Sequence, residues 1–453
     1  MDAVERFAEL IRMPTVSSDS PEHEDEAVFK AVPGRIAELY PDLHRVMERE
    51  LPGDRAILYH WKGSQPDLLP VMGMAHFDVV PPGDFSKWEH PPFDGVVENG
   101  VLHGRGTLDD KGMLAGWLEA ANRLAAEGYQ PRRSLYLAFG GDEETTGKRG
   151  AGHMAQLFAE RGMRFAFILD EGGAVAVDQL ASFTSREVAL LGIAEKGFLT
   201  LRIKARGMPG HASAPPSHTA VGRLSAAILA LENTPAPASI GHVPGGMLRA
   251  LGSVSGGLQG LILKNNRFFG GILKNMLSAS SGTAPMVRTT LAPTVIRGGE
   301  RDNVLPDEVE ALVNMRILPG ETIAGNVKRV QSIIEDAVDE GVTVEIVENS
   351  AFEPVPSGGA EGHWWKAMER QVERCFPGAL SAPYLMTATT DSRWYRNLSD
   401  AIFRFIPMRI DKDSMKTVHA PNEAVSLEEW GTMVNFLEGL LKDVLADESR
   451  EKK

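Results

Sequence analysis

Residues 71–76, Val-Met-Gly-Met-Ala-His, form a short apolar run that ends in a polar residue. Such a run predicts a buried β-strand. Residues 111–126, Lys-Gly-Met-Leu-Ala-Gly-Trp-Leu-Glu-Ala-Ala-Asn-Arg-Leu-Ala-Ala, place apolar side chains at the spacing of one helical face. A strand followed by a helix of this length predicts an α/β fold, in which helices cover a mostly parallel sheet.

Two more predicted strands of this region are followed by acidic residues. A strand over residues 134–139 precedes Asp142, Glu143 and Glu144, and a strand over residues 165–169 ends at Asp170. Ligands of parallel sheets bind beyond the carboxyl ends of the strands. We therefore expect these carboxylates to meet at one edge of the sheet.

A second domain is predicted where the pattern changes near residue 190. Over residues 190–352 the predicted order is strand, helix, strand, strand, helix, strand. This is the order of a ferredoxin-like α+β domain. We predict that residues 190–352 form an inserted lid domain, and that residues 1–189 and 353–453 together form the main domain.

One segment of the predicted lid, residues 236–286, mixes many glycines with leucine, isoleucine and phenylalanine. It could line a site for an apolar substrate or form a cap that faces a membrane. It could also be a helical hairpin that packs its own core on the lid. The sequence leaves these alternatives open.

Composition restricts the functional classes. The chain has 453 residues and a formal net charge of −14, which argues against nucleic acid or an anionic membrane as the main partner. Cys375 is the only cysteine, so a metal site would have to use His, Asp and Glu. The chain begins without a signal-peptide pattern and has no apolar run long enough for a transmembrane helix, so we expect a cytoplasmic location.

Histidines and carboxylates recur in short motifs along the chain. The candidate ligands in these motifs are His76, Asp109, Glu144, Asp170 and His419. Each motif has a structural alternative: a chance His-x-Asp pair, a helix N-cap at Asp109, or an exposed acidic loop at Glu144. Together, however, two histidines and three carboxylates are ligands that zinc accepts when cysteine is absent.

The charges of this set balance two zinc ions. Two Zn²⁺ carry four positive charges, of which Asp109, Glu144 and Asp170 offset three and a bridging hydroxide would offset the fourth. Asp109 could bridge the two ions, because each carboxylate oxygen can bind one. Glu143 is then left as a base, and Asp78 lies on the same side of an extended segment as His76.

These motifs resemble the co-catalytic di-zinc peptidase family that includes aminoacylase, glutamate carboxypeptidase and carboxypeptidase S. The resemblance spans residues 76 to 423 and implies a catalytic zinc-peptidase domain with a ferredoxin-like lid. It implies that His76 and Asp170 hold one zinc and that Glu144 and His419 hold the other. Asp109 would bridge them and form a cis peptide bond with Asp110.

The same resemblance implies further roles. Asp78 would orient His76, and Glu143 would be the general base. His211 matches a lid histidine that stabilises the oxyanion and, in dimeric relatives, reaches the partner's site, so a homodimer through the lid is implied. Candidate residues for binding the substrate carboxylate are Asn303, Arg316 and Arg393.

The long lid insertion is most similar to the carboxypeptidase S branch, which includes an enzyme that makes and cleaves N-fatty-acyl amino acids. We predict metal-dependent hydrolysis of an amide bond to an amino acid with a free carboxylate, in an N-acyl amino acid or a short peptide. Cobalt or manganese could replace zinc. The alternatives are a dipeptidase or aminopeptidase of the same family, and a non-catalytic zinc-binding protein.

Overall fold

The computed structural model describes residues 1–356 and 358–447. Its helices are α1 (Ala3–Ile11), α2 (Glu26–Leu39), α3 (Leu43–Val46), α4 (Lys111–Ala126), α5 (His153–Glu160), α6 (Ala220–Asn233), α7 (His242–Val254), α8 (Gly257–Lys264), α9 (Gly270–Ser278), α10 (Ile323–Ala337), α11 (His363–Cys375), α12 (Lys412–Met415) and α13 (Leu427–Ala446). Its strands are β1 (Glu48–Glu50), β2 (Ala56–Trp61), β3 (Val71–His76), β4 (Val96–Glu98), β5 (Val101–His103), β6 (Leu135–Gly140), β7 (Phe167–Ala176), β8 (Val188–Glu195), β9 (Gly197–Arg206), β10 (Gly210–His211), β11 (Thr290–Arg297), β12 (Val304–Leu305), β13 (Glu308–Ile317), β14 (Val342–Phe352), β15 (Leu380–Met386), β16 (Ile402–Ile410) and β17 (Ala424–Ser426).

The main domain is built on an eight-stranded sheet in the order β1-β2-β6-β3-β7-β16-β8-β15. The pairs β6–β3, β3–β7, β7–β16 and β8–β15 are parallel, and the pairs β1–β2, β2–β6 and β16–β8 are antiparallel. One face packs on α1, α2, α4, α11 and α13, and the other packs on α5. The predicted α/β class with a mostly parallel, helix-covered sheet is confirmed.

Strand β3 and helix α4 have the bounds that the sequence predicts. All six residues of β3 are buried, because both of its faces are covered by helices. Trp117 of α4 donates its indole N–H to the carbonyl of Met74 over 2.9 Å. The ring lies where a side chain of residue 73 would be, since a Cβ on Gly73 would come within 2.7 Å of it. This contact fixes α4, and the loop before it, against the end of β3.

The lid is a four-stranded antiparallel sheet in the order β11-β13-β9-β14, with α6 and α10 on one face. In chain order its elements are β9, α6, β11, β13, α10 and β14, which is the predicted ferredoxin-like order. Residues of β13 alternate between buried and partly exposed along the whole strand. One face of the sheet is therefore covered by the helices, and the other is left for the main domain or solvent.

The segment 236–286 folds as the helices α7, α8 and α9, but it does not pack on the lid sheet as one of our alternatives supposed. Leu248, Leu251, Leu263 and Leu273 form a core with Val188 of β8 and with β15. The helices thus extend the edge of the large sheet. Among the described residues, no helix combines the length and apolar character needed to cross a bilayer.

Candidate metal centre

Two histidines from distant parts of the chain face one carboxylate. Nε2 of His76, at the end of β3, lies 3.0 Å from Oδ1 of Asp109, and Nε2 of His419 lies 3.0 Å from Oδ2 of the same residue. His419 Nε2 also lies 3.2 Å from Oε1 of Glu144. Burial alone would raise the pKa of Asp109. The hydrogen bonds with His419 and His76 outweigh burial and lower the pKa below its usual range. Each oxygen of Asp109 faces a different histidine, as a carboxylate bridging two cations requires.

The loop that carries Asp109 is held by a buried glutamate that sequence reasoning missed. Glu423 accepts N–H groups from Gly106 (3.1 Å), Leu108 (2.8 Å) and Asp109 (3.2 Å). Its other partner is the buried guanidinium of Arg105, at 2.6 Å. The peptide bond between Asp109 and the next residue is cis, as the resemblance implies. Glu423 is the last residue of the motif that begins at His419. Its place in that motif was the signal from which the sequence could have indicated a role for it.

Asp78 connects His76 with the acidic loop after β6. The carbonyl oxygen of Asp78 lies 3.0 Å from Nδ1 of His76, and its Oδ1 lies 3.4 Å from the same nitrogen. The Asp78 carboxylate also accepts the backbone N–H groups of Glu143 and Glu144, each over 3.1 Å. Asp78, which is fully buried, therefore contacts the histidine mainly through its backbone carbonyl, and its carboxylate positions two of the predicted site residues.

Asp170 does not join this group, whereas its neighbour Glu171 does. Oδ2 of Asp170 accepts the backbone N–H of Ser392 over 2.7 Å. Oε1 of Glu171 lies 3.6 Å from Nε2 of His76. Consecutive residues of a strand point to opposite faces, so only one of the two can face the histidine. The sequence offered both acids, and its pattern did not decide between them.

Glu143 lies next to the cluster and beside a buried arginine. Its Oε1 is 3.3 Å from a terminal nitrogen of Arg393. Arg393 also donates to the carbonyls of Thr390 (2.7 Å) and Thr146 (2.8 Å), which fix its orientation. Burial is the main reason that the pKa of Glu143 is raised to about 8, although the charge of Arg393 opposes the shift. A carboxyl group in these surroundings can exchange a proton near neutral pH.

Arg316 extends from β13 of the lid into the same region. Its guanidinium lies 4.9 Å from the ring centre of Phe198. One terminal nitrogen is buried and has no hydrogen-bond partner within the described part of the chain. Burial lowers the pKa of Arg316, while the charges of Glu195 and Glu143 oppose this and the charge of Arg393 adds to it. A buried donor that lacks a partner is suited to an anionic ligand.

His211 and Asn303 lie close together in the lid. His211 is in β10, which pairs with β12 just after Asn303. The carbonyl of Asn303 accepts the N–H of Ala212 over 3.1 Å, and both predicted residues are exposed. Within residues 1–356 and 358–447, no hydrogen bond or ion pair joins either side chain to His76 or Asp109.

The residues of the cluster fit a pair of divalent cations. Ligand atoms of His76, Asp109 and Glu144 lie within 4.8 Å of one another, and so do those of His76, Glu143 and Glu171. Burial raises the pKa of Glu171 well above its usual range, and the charge of Asp109 acts in the same direction. Four acids so close together are costly to ionise without a cation. The donors are oxygens and imidazole nitrogens, which suit zinc, cobalt and manganese.

Comparison with known proteins gives a consistent family match. The model of "Peptidase family M20/M25/M40" matches residues 72–443. The chain is 35% identical over 444 residues to an N-fatty-acyl-amino acid synthase/hydrolase of Xenopus tropicalis, with 97% of this chain and 85% of the relative covered. It is 29% identical over 472 residues to carboxypeptidase S of Saccharomyces cerevisiae, with 94% and 81% covered. The predicted resemblance to this branch is confirmed.

Solved structures agree with the fold. An M20 family metallo-carboxypeptidase of Sulfolobus solfataricus superposes with a TM-score of 0.72 at 16% identity, covering 98% of this chain and 99% of the other. Human carnosine dipeptidase 1 superposes with a TM-score of 0.63 at 15% identity, covering 98% and 96%. At these identities the likeness establishes the architecture and leaves the substrate to be argued from the site.

Proposed function

The chain belongs to the metal-dependent hydrolases of peptidase family M20/M25/M40, and we propose that its substrate is an amide of an amino acid with a free carboxylate. The acyl part would be a fatty acid or a short peptide. The observation that carries the proposal is the contact of one carboxylate, Asp109, with two histidines, close to Glu143 and its arginine partner.

We assign five ligands to two zinc ions. His76 and Glu171 would hold one ion, Glu144 and His419 the other, and Asp109 both. Glu171 replaces Asp170 in this assignment because of the direction of its side chain. When bound, the ions would lower the pKa of a water molecule toward 7 and polarise the carbonyl of the substrate.

Glu143 is the group that moves the proton. It is buried beside the cluster and within 3.3 Å of Arg393, where it would accept a proton from the attacking water and return it to the departing amine. Arg393 holds the Glu143 carboxylate and is itself fixed by two backbone carbonyls. The base is therefore already oriented when substrate arrives, which lowers the entropic cost of proton transfer.

Recognition of the substrate carboxylate falls to Arg316. Its buried guanidinium nitrogen has no partner among the described residues, so a carboxylate there would satisfy it. A dipeptidase or aminopeptidase would need acidic groups for a free amine. Two arginines interact with Glu143, namely Arg393 at 3.3 Å and Arg316 from the lid through its charge, and they favour a substrate carboxylate.

We further propose that His211 and Asn303 act across a homodimer. Both are exposed on the lid edge, and neither contacts the cluster of its own chain. A second subunit placed against that edge would bring a hydrogen-bond donor to the carbonyl oxygen of the substrate. Two measurements test this proposal: the sedimentation coefficient of the purified protein, and the hydrolytic activity of the His211→Ala variant. A fully active monomer would contradict it.

A substrate panel tests the function. N-lauroyl and N-acetyl amino acids, dipeptides, and the matching amino acid amides without a free carboxylate would be compared, with metal content measured on the same sample. We expect turnover of the free acids and at least tenfold slower turnover of the amides. Equal rates for acids and amides would refute carboxylate recognition, and equal or faster turnover of N-acetyl substrates would refute a preference for fatty acyl groups.

A further inference from the structure

Positive charge is concentrated in one segment of this acidic chain. The protein carries a net charge of −14, but residues 233–299 contain no aspartate or glutamate. The same residues contain six basic side chains, namely Arg249, Lys264, Arg267, Lys274, Arg288 and Arg297. The overall charge, which argued against anionic surfaces as partners, thus hides a local excess of the opposite sign.

Exposed apolar side chains are concentrated in the same segment. Five large hydrophobic residues lie between positions 258 and 276 with at least half of their surface exposed: Leu258 (70%), Leu261 (54%), Phe268 (86%), Ile272 (62%) and Met276 (50%). Leu258 and Leu261 share a face of α8, and Ile272 and Met276 share a face of α9. We call residues 257–278 the apolar-basic hairpin.

The hairpin is anchored, so these side chains are presented by a fixed surface. On its other side Leu263, Leu273 and Leu277 are buried in a core shared with β8 and β15. Asn266, also buried, donates to the carbonyl of Gly245 over 2.7 Å. Helices α8 and α9 therefore have one face packed on the main domain and one apolar face in solvent.

Basic side chains lie between the exposed apolar ones. Lys264 and Arg267 are exposed, and Lys274 is partly exposed. No ion pair within the described residues engages any of the three. Helices with an exposed apolar face and flanking Lys or Arg bind at the interface of a bilayer, where the apolar groups enter the acyl boundary and the cations meet phosphates.

We propose that the apolar-basic hairpin docks this protein on anionic lipid bilayers. A second copy of the chain is a poorer occupant. In a twofold interface the same patch faces itself, so Lys264, Arg267 and Lys274 would face a patch that contains no aspartate or glutamate. The proposal rests on exposure and charge, and it does not depend on which amide the enzyme hydrolyses.

Co-sedimentation with vesicles tests the proposal. The full chain would be mixed with two kinds of vesicle. One kind contains phosphatidylcholine alone, and the other contains phosphatidylcholine with about 30% phosphatidylglycerol, which gives the vesicle surface a negative potential. We expect binding to the anionic vesicles that weakens as salt rises. Equal binding to both vesicle types, or none, would overturn the proposal.

Two variants separate the contributions of charge and apolar area. K264Q/R267Q/K274Q should lower the partition coefficient on anionic vesicles by about 100-fold, because each cation contributes about fivefold. L261Q/F268Q should lower binding to the same vesicles while leaving its salt dependence in place. Matched controls are K30Q/K62Q/K366Q, which removes three exposed lysines elsewhere, and V221Q/L229Q on α6.

The controls should bind like the unmodified chain, and an equal loss in them would overturn the assignment of this surface. Thermal unfolding and hydrolysis of a water-soluble substrate verify that each variant is folded. If L261Q/F268Q converts a dimer to a monomer in sedimentation without changing vesicle binding, the hairpin is an interface between copies and the lipid proposal is wrong. Failure of the substrate panel would leave this result unaffected.

Discussion

Replacing Glu423 by Gln is expected to destabilise the fold and weaken metal binding together. Its carboxylate and the guanidinium of Arg105 are both almost fully buried, and they lie 2.6 Å apart. Removing one partner of a buried ion pair costs about 3–5 kcal/mol, because the other charge is left without compensation. Three backbone N–H groups, including that of Asp109, also lose a charged acceptor.

The change should appear as a loss of about 3–5 kcal/mol in the free energy of unfolding measured with urea on the metal-free protein. Metal affinity should fall about 10- to 100-fold, as for other residues that hold a ligand in place. The matched control is Glu50→Gln, which removes an exposed ion pair with Arg161 and should cost less than about 1 kcal/mol.

The double variant R105M/E423M separates the lost charge from the lost support of the loop. Replacing both ions removes the unpaired charge, so stability should recover in part. Metal affinity should stay low, because Asp109 still lacks its acceptor. A stability loss under about 1 kcal/mol in Glu423→Gln, with unchanged metal affinity, would refute the reasoning.

Three further outcomes are expected. Glu143→Gln should retain two metal ions by elemental analysis and lose about 10²- to 10⁴-fold in kcat, since it removes the group that transfers the proton; retained activity would refute the assigned base. Glu171→Gln should lower metal content, whereas Asp170→Asn should keep it because an amide oxygen still accepts the N–H of Ser392; the reverse result would restore Asp170 as the ligand. Arg316→Met should lower kcat/KM roughly 10- to 100-fold for substrates with a free carboxylate and leave the matching amides unchanged; equal losses on both would contradict carboxylate binding.

The fold could be predicted from the sequence where periodicity was strong. Strand β3 and helix α4 have the predicted bounds, because a fully buried strand and a helix with one apolar stripe leave clear patterns. The ferredoxin-like order of the lid followed from the same reasoning. The packing partner of residues 236–286 could not be predicted in this way. An apolar face shows that a helix is buried, but it does not show which part of the protein covers that face.

The candidate site was predictable in kind and less so in detail. Its residue types followed from motifs at strand ends, and the structure brings His76, Asp109, Glu144 and His419 together. The choice between Asp170 and its neighbour depended on which face of β7 meets the histidine. A shift of β7 by one residue would exchange the side chains on its two faces. The pairing of β7 with its neighbouring strands sets this register, and the sequence of β7 alone does not show it.

The two faces of β7 also connect the proposed metal ligand Glu171 with the arginine beside the proposed base. Glu171 faces His76, while Asp170 accepts the N–H of Ser392 on the other side. Glu195 holds the same loop, because it accepts the N–H of Thr390 over 3.1 Å. That loop presents Arg393 to Glu143, the proposed general base. Asp170 of β7 and Glu195 of β8 thus fix the loop against two strands, so we expect a shift of β7 to move the proposed ligand Glu171 and Arg393 together.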